Sequence, residues 1–320
     1  PQMTEYKPFA PQQQPKFAGI KTYLRLPHHQ TVEGIDFAVV GIPWDGGTSY
    51  RTGQRAGPDA IRKVSVTLRP YNLAQGVGIF EHCCGVDYGD LSVVPGYIED
   101  TYDKIEAELC PLVEAGVIPV AMGGDHSITL PELRAIAKTH GPVALIHLDS
   151  HTDTNDQYFG RPYYHGSMFR RAVEENILLP ANSIQVGMRG SVYSKNAYDE
   201  STSLGFKVVT MSAVRQIGLQ RLIEIIKGRV GPNKVFVTFD IDVVDPAFAP
   251  GTGTPEVGGF SSSEAIDLIR GLKGLDFAGF DVVEVLPDYD VAEITALLAA
   301  NIVYEFLSLI ALNKKMSVSH

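Results

Sequence analysis

From Asp149 to Asn155 the chain reads Asp149-Ser150-His151-Thr152-Asp153-Thr154-Asn155, so Asp, His, Asp and Asn recur at every second position. In an extended segment, alternate residues project to one side. Crowding these side chains without compensation would cost several kcal/mol in desolvation and repulsion. Two similar clusters stand elsewhere, Gly123-Gly124-Asp125-His126-Ser127 and Asp240-Ile241-Asp242-Val243-Val244-Asp245-Pro246. Carboxylates can bridge two cations, and imidazole nitrogen suits Mn, Ni, Co or Zn. Two such ions about 3.5–4 Å apart make water a nucleophile near neutral pH. Caps and Asx turns would explain any single Asp, but not three clusters. The supply of residues fits a two-metal hydrolytic centre.

The elements that must position these clusters alternate between strand and helix. Strands are expected at Asp36–Gly41, Val86–Gly89, Val117–Met122, Val143–Leu148, Ile184–Met188, Phe206–Thr210, Val235–Asp240 and Phe277–Val285. A Gly-rich loop from Trp44 to Gly57 leads to Pro58, placed as a helix N1 proline, and a helix through Val66. Further helices are expected at Ile98–Ala115, Leu130–His140, Leu219–Val230, Ser261–Leu272 with a serine cap, and Val291–Leu312. Strands apolar on both faces, separated by amphipathic helices, imply an α/β fold with a mainly parallel sheet covered on both sides. Ligands of such sheets collect beyond the carboxyl ends of the strands. His126, Asp149 to Asn155, Asp240 and Asp242, and Glu284 all fall there. One catalytic domain over 19–320 follows, with the Pro- and Gln-rich segment 1–18 as an N-terminal arm.

Composition narrows the partners. With 27 Lys and Arg against 37 Asp and Glu, the net charge of −10 argues against nucleic acid. Cys83, Cys84 and Cys110 form no disulfide framework and no CxxC site. With no charged-then-apolar leader and no long apolar span, neither secretion nor a membrane partner is expected, and the expected location is cytoplasmic.

At this point the motifs resemble a known family. Gly-Gly-Asp125-His126-Ser127, Asp149-Ser-His151-Thr-Asp153-Thr-Asn155 and Thr238-Phe-Asp240-Ile-Asp242 look like the three signatures of the ureohydrolase superfamily, which includes arginase and agmatinase. Gly57-Pro58, His165-Gly166, the run from Asp245 to Glu256 and Asp281-Val-Val-Glu284 are similar to its agmatinase and guanidino-acid branch. The resemblance runs from about Phe17 to Leu312. It implies a three-layer α-β-α sandwich and two divalent ions, manganese first and nickel as the alternative. One ion would be held by His126, Asp149, Asp153 and Asp240, the other by His151, Asp149, Asp240 and Asp242. It also implies a homo-trimer or homo-hexamer, with a hetero-oligomer as a further option.

The chemistry implied is hydrolysis of a guanidino C–N bond to urea and an amine. Asp153 would orient the attacking water and pass its proton to the leaving nitrogen. Glu284 would accept hydrogen bonds from the planar guanidinium, and His165 would shuttle protons. Structural alternatives are a salt-bridge role for Glu284 and a plain loop position for His165. His147 reads as a core histidine, Asp125 as a loop anchor, and Arg170-Arg171 as a solvated helix face.

Substrate contacts are expected from Asn155, Tyr158, Glu284 and Asp288. Three positions depart from the branch: Ser150 stands where Ala is usual, and Leu286 and Asp288 where Ser and Pro are usual. Small guanidino acids, of the 3-guanidinopropionate and 4-guanidinobutyrate type, rank first. N-substituted guanidines and metformin-like biguanides follow, then agmatine. A non-catalytic scaffold subunit is the reading of another class.

Overall fold

Runs such as Val-Phe-Val-Thr-Phe and Ala-Leu-Ile-His-Leu bury both faces of a strand, so they demand cover on both sides. The structure, a computed structural model, describes residues 6–9 and 13–318 and supplies that cover. Eight strands form one parallel sheet: β1 (Phe37–Gly41), β2 (Gly85–Asp90), β3 (Ile118–Met122), β4 (Ala144–Leu148), β5 (Ile184–Met188), β6 (Lys207–Thr210), β7 (Lys234–Asp240) and β8 (Asp276–Val283). Their spatial order is β2-β1-β3-β8-β7-β4-β5-β6.

One helical layer holds α1 (Gly57–Ser65), α5 (Leu219–Val230), α6 (Ser262–Gly271) and α7 (Ile294–Val318). The other holds α2 (Ile98–Glu114), α3 (Thr129–His140) and α4 (Met168–Glu174). The alternation of β7 serves both: Val235, Val237 and Phe239 join the first core, Phe236 the second. The expected three-layer sandwich with a parallel sheet is therefore what the chain adopts.

Register decides where the chemistry sits. Met122 of β3 lies beside Val282 of β8, Val282 beside Phe239 of β7, and Phe239 beside Leu148 of β4. The next residues along these four adjacent strands are Gly123, Val283, Asp240 and Asp149. One row of the sheet thus delivers every acidic cluster to the same edge.

Several boundaries differ from expectation, each for a local reason. β8 ends at Val283, and Glu284 follows in the left-handed region with φ 67°. The last helix starts at Ile294 rather than Val291, because Ala292 and Glu293 are both left-handed (φ 50° and 62°). The Asp290 carboxylate accepts from the N–H groups of Val291, Thr295 and Ala296 there. The hairpin Tyr71–Asn72 with Val77–Gly78 and the short helix Ile79–His82 were not foreseen. The Ser261 cap is present as a full capping box with Glu264.

The expectation of no long apolar span is corrected. Within the described residues Ile294–Ser317 is long and apolar enough to cross a membrane, with a mean hydropathy of 1.8. Yet 83% of its most apolar window is buried inside the protein, as in a core helix. Part of the expected N-terminal arm lies outside the described residues. Within them, the carbonyl of Tyr6 accepts from Gly85 N–H, and its ring packs on the core beside β1 and β2.

Gly124 sets the turn that carries His126 toward the sheet edge. A Cβ there would stand 1.6 Å from the Trp44 carbonyl oxygen. Gly124→Ala is expected to destabilise the fold by about 3 kcal/mol. A lowered urea midpoint at unchanged m value checks this.

Candidate active site

The residues after β3 make a 3-10 turn, His126–Ile128. Asp125 holds it: its carboxylate accepts from Ser127 N–H (2.9 Å) and from Gly47 N–H of the Gly-rich loop (2.6 Å). Burial and the nearby Glu284 push this carboxyl up to about 6. Asp125 is thus the loop anchor expected of it. The turn aims His126 at the clusters after β4 and β7.

His126 Nδ1 lies 3.0 Å from Asp149 Oδ2, 3.1 Å from Asp153 Oδ2 and 3.2 Å from Asp240 Oδ2. Nδ1 is buried and aligned in a hydrogen bond to none of them, while Nε2 is satisfied by Thr238 Oγ1 at 2.8 Å. One imidazole nitrogen facing three carboxylate oxygens at 3.0–3.2 Å is a donor set that could hold a divalent cation.

A second group adjoins the first. His151 Nδ1 lies 3.1 Å from Asp242 Oδ2 and 3.5 Å from Asp149 Oδ1. Asp242 Oδ2 is itself buried without a hydrogen-bond partner. Asp149 therefore offers one oxygen to each group. Asp240 faces the first group through Oδ2, while its Oδ1 accepts from Asp242 N–H at 2.8 Å. These two orphaned atoms and the donor chemistry around them fit two divalent cations.

Electrostatics tell the same story. Burial opposes ionisation of Asp149, but His147, His126 and His151 outweigh it and hold that carboxyl well below its usual range. Burial, then the charges of Asp242 and Asp149, push Asp240 well above it, and Asp242 rises for similar reasons. Burial disfavours the charged imidazoles, yet the facing carboxylates raise both His126 and His151 well above the ordinary value. In the metal-free chain protons thus stand in for cations.

Glu284 and His165 form the neighbouring unit. Glu284 Oε1 accepts from His126 N–H and pairs with His165 Nδ1, both at 2.9 Å, and Oε2 accepts from Gln54 Nε2 at 3.0 Å. His165 Nε2 accepts from Ser49 N–H at 3.1 Å, with Ser49 Oγ 2.7 Å away. That acceptor needs a lone pair on Nε2, so in this arrangement Nδ1 carries the proton. Burial works against a charged His165, but Glu284, with Asp153 and Asp125, raises it to about 9. A second proton on Nε2 would break the bond from Ser49 N–H.

Over these groups opens a cleft of about 710 Å³, whose floor includes His151, Asp153, His165 and Asp240. Its walls include Ser49, Asn155, Tyr158, Tyr164, Val192, Tyr193 and Glu256. Tyr158 stacks on Tyr164 at 5.1 Å. Among the described residues, no Lys or Arg lines the cleft.

Of the expected site residues, His126, Asp149, His151, Asp153, Asp240 and Asp242 come together, and His165, Asn155 and Tyr158 border the same space. Glu284 is buried behind His165 rather than lining the cleft. Asp288 is exposed and lies outside the lining, and Leu286 is buried, close beneath Gly53.

Arg170 and Arg171 are not a solvated face. They bind Thr154 O and Glu200, and Asp156 and Glu174, behind the cleft wall. His147 is the buried core histidine expected, yet its Nε2 also reaches Asp149 Oδ2 at 2.7 Å. Period-two spacing along β4 was the available signal for that contact. Ser49 and Gln54 carried none.

Fold and site together define a three-layer α/β protein with two neighbouring carboxylate and imidazole clusters that could hold divalent cations. It belongs to the Arginase family, whose sequence profile matches residues 35–308. The chain is 44% identical over 305 residues to guanidinobutyrase of Pseudomonas aeruginosa, covering 94% of this chain and 96% of that protein. It is 42% identical to guanidinopropionase of the same organism, with 93% of each covered. The structure of proclavaminate amidinohydrolase from Streptomyces clavuligerus superposes with a TM-score of 0.90 at 42% identity, covering 93% of this chain and 99% of that one.

Two outcomes follow from the geometry. Asp149→Asn should lose both ions together, read as metal content after dialysis, because one oxygen serves each group. Cation binding should also displace protons. The raised His126 and His151 favour folding of the metal-free chain below their ordinary value, an advantage lost as pH rises through the raised values. Ligation needs these imidazoles neutral. Affinity for Mn2+ should therefore rise between pH 6 and pH 8, about tenfold per unit for each proton displaced. Calorimetry in buffers of different ionisation enthalpy reads that proton release.

Proposed function

We propose that this chain is an amidinohydrolase that cleaves a guanidino C–N bond of a small guanidino compound, releasing urea and an amine. The observation that carries this is the buried, unpartnered His126 Nδ1 facing three carboxylate oxygens, of which those of Asp153 and Asp240 belong to residues lining an open cleft. His126, Asp149, Asp153 and Asp240 would hold one ion, and His151, Asp149, Asp240 and Asp242 the other. Divalent ions there supply the Lewis acidity that makes water a nucleophile near pH 7. Manganese is the first choice and nickel the second, since the mixed imidazole and carboxylate set suits both.

The chain's own groups do the rest. A guanidinium carbon is a poor electrophile because its charge is spread over three nitrogens. Asp153, at the cleft floor, orients the attacking water and receives its proton. The leaving nitrogen takes that proton as the C–N bond breaks, so an amine departs. His165, between Ser49 and the cleft, exchanges protons with solvent. Glu284 holds His165 by Nδ1, and that positioning role replaces the direct guanidinium contact expected from sequence. Asn155, Tyr158 and Tyr164 border the tail of the substrate.

Guanidino acids of the 3-guanidinopropionate and 4-guanidinobutyrate type are the first reading, in keeping with the two Pseudomonas relatives. A second reading, N-substituted guanidines, biguanides or agmatine, is favoured by one observation. A substrate carboxylate would meet no Lys or Arg among the described residues of the lining. A scaffold role is disfavoured by the full set of ligand residues. The proposal extends to one catalytic domain over 19–320 preceded by an arm, a homo-trimer or homo-hexamer, and a cytoplasmic location in keeping with three free cysteines.

Urea release from a panel of 3-guanidinopropionate, 4-guanidinobutyrate, agmatine, guanidine and dimethylbiguanide tests this, with dimethylamine also followed. Metal-loaded protein that releases urea from none of them would sink the assignment. His165→Asn should lower kcat by roughly 10²–10⁴-fold while metal content stays at the unmutated level.

A further inference from the structure

Ser150 sits between Asp149 and His151 and is 1% exposed. Its backbone N–H donates to Asp242 Oδ1 at 3.0 Å, and its hydroxyl donates to the same oxygen at 2.8 Å. Two donors therefore saturate Oδ1 from one direction. That leaves Asp242 Oδ2 as the buried, unpartnered oxygen 3.1 Å from His151 Nδ1. Ser150 Oγ also lies 3.1 Å from His151 Nδ1, so it stands between two side chains of the second group. Neither His151 nor Asp242 is among the carboxylates and imidazole clustered on His126 Nδ1. The backbone of Ser150 is itself held, its carbonyl accepting from Arg189 N–H at 3.1 Å. The hydroxyl thus acts from a fixed base.

We propose that Ser150 Oγ is a positioning group for the second cation site. By fixing Asp242 Oδ1 it decides which oxygen of Asp242 points at the cation beside His151. An alanine there keeps the backbone bond and loses the hydroxyl bond, leaving Asp242 Oδ1 held by one donor in place of two. Such supports of a ligand change metal affinity by about 10–100-fold. The hydroxyl bonds to Asp242 and His151 and to none of His126, Asp149, Asp153 and Asp240, so its loss bears first on the second site. This inference rests on the two-cation reading of the site.

The test is calorimetric titration of the metal-stripped chain with Mn2+, with bound metal counted after gel filtration. The unmutated protein should take up two ions. Ser150→Ala and Ser150→Gly should keep the first binding step and weaken the second by about tenfold or more. Ser150→Thr, which retains a hydroxyl, should restore the second step. A purely packing role for Ser150 would shift thermal stability without separating the two steps. Two ions in the unmutated protein with an unchanged second step in both hydroxyl-free variants would overturn the role of Ser150. So would equal weakening of both steps. Fewer than two ions in the unmutated protein would overturn the two-cation reading itself, and the inference with it.

Discussion

Four carboxylates and two imidazoles share one water-poor patch at the edge of the sheet, and their mutual repulsion is the constraint on which the rest depends. Asp149, Asp240 and Asp242 are 3% exposed or less, so water cannot screen them. Bringing such charges together costs several kcal/mol per ion unless a counter-charge accompanies them. Protons on His126 and His151 supply part of it in the metal-free chain, and divalent cations would supply more. Nearby backbone hydrogen bonds fix one chosen oxygen of each of three carboxylates. Asp242 N–H takes Asp240 Oδ1, Ser150 takes Asp242 Oδ1, and His126 N–H takes Glu284 Oε1.

That arrangement needs a rigid support, and the sheet register provides it. Because four neighbouring strands end in one row, a one-residue slip in β7 would turn Asp240 away from His126 and bring Phe239 to its place. The apolar faces of β7 and β8 resist such a slip, since it would move every side chain to the other face. Two site residues carry backbone strain. Asp153 and Glu284 both hold positive φ (51° and 67°). Non-glycine residues seldom adopt that region, and they persist in it where surrounding bonds dictate it.

The cation ligands were legible in the sequence because their spacing is local. Alternate residues beyond a strand reveal Asp149, His151 and Asp153 without knowledge of the fold, and the three-layer sandwich follows from two-sided apolar strands. Contacts between distant segments left no such mark. Ser49 meets His165 across 116 positions, and Gln54 meets Glu284 across 230. Arg170 and Arg171 looked like solvent-facing charges because their partners, Glu200 and Asp156, belong to other segments, a short helix and a loop. Asp288 was drawn toward the cleft by its nearness in sequence to Glu284. The left-handed turn at Glu284 and the 3-10 turn at Pro287–Tyr289 carry it elsewhere.

The strand order has a consequence for how the molecule comes into being. The two strands at the centre of the sheet, β7 and β8, are the last two in the chain, and they fill the space between β3 and β4. During synthesis the outer strands of both halves emerge first, with their inner edges unpaired. Only when residues 234–283 arrive can the halves join, and only then do His126 and Asp149 meet Asp240. Such late, long-range closure makes folding slow and leaves exposed edges open to wrong partners meanwhile. Assembly of the acidic cluster is therefore a closing event of biogenesis: the residues made first must wait for more than eighty further residues before they meet Asp240.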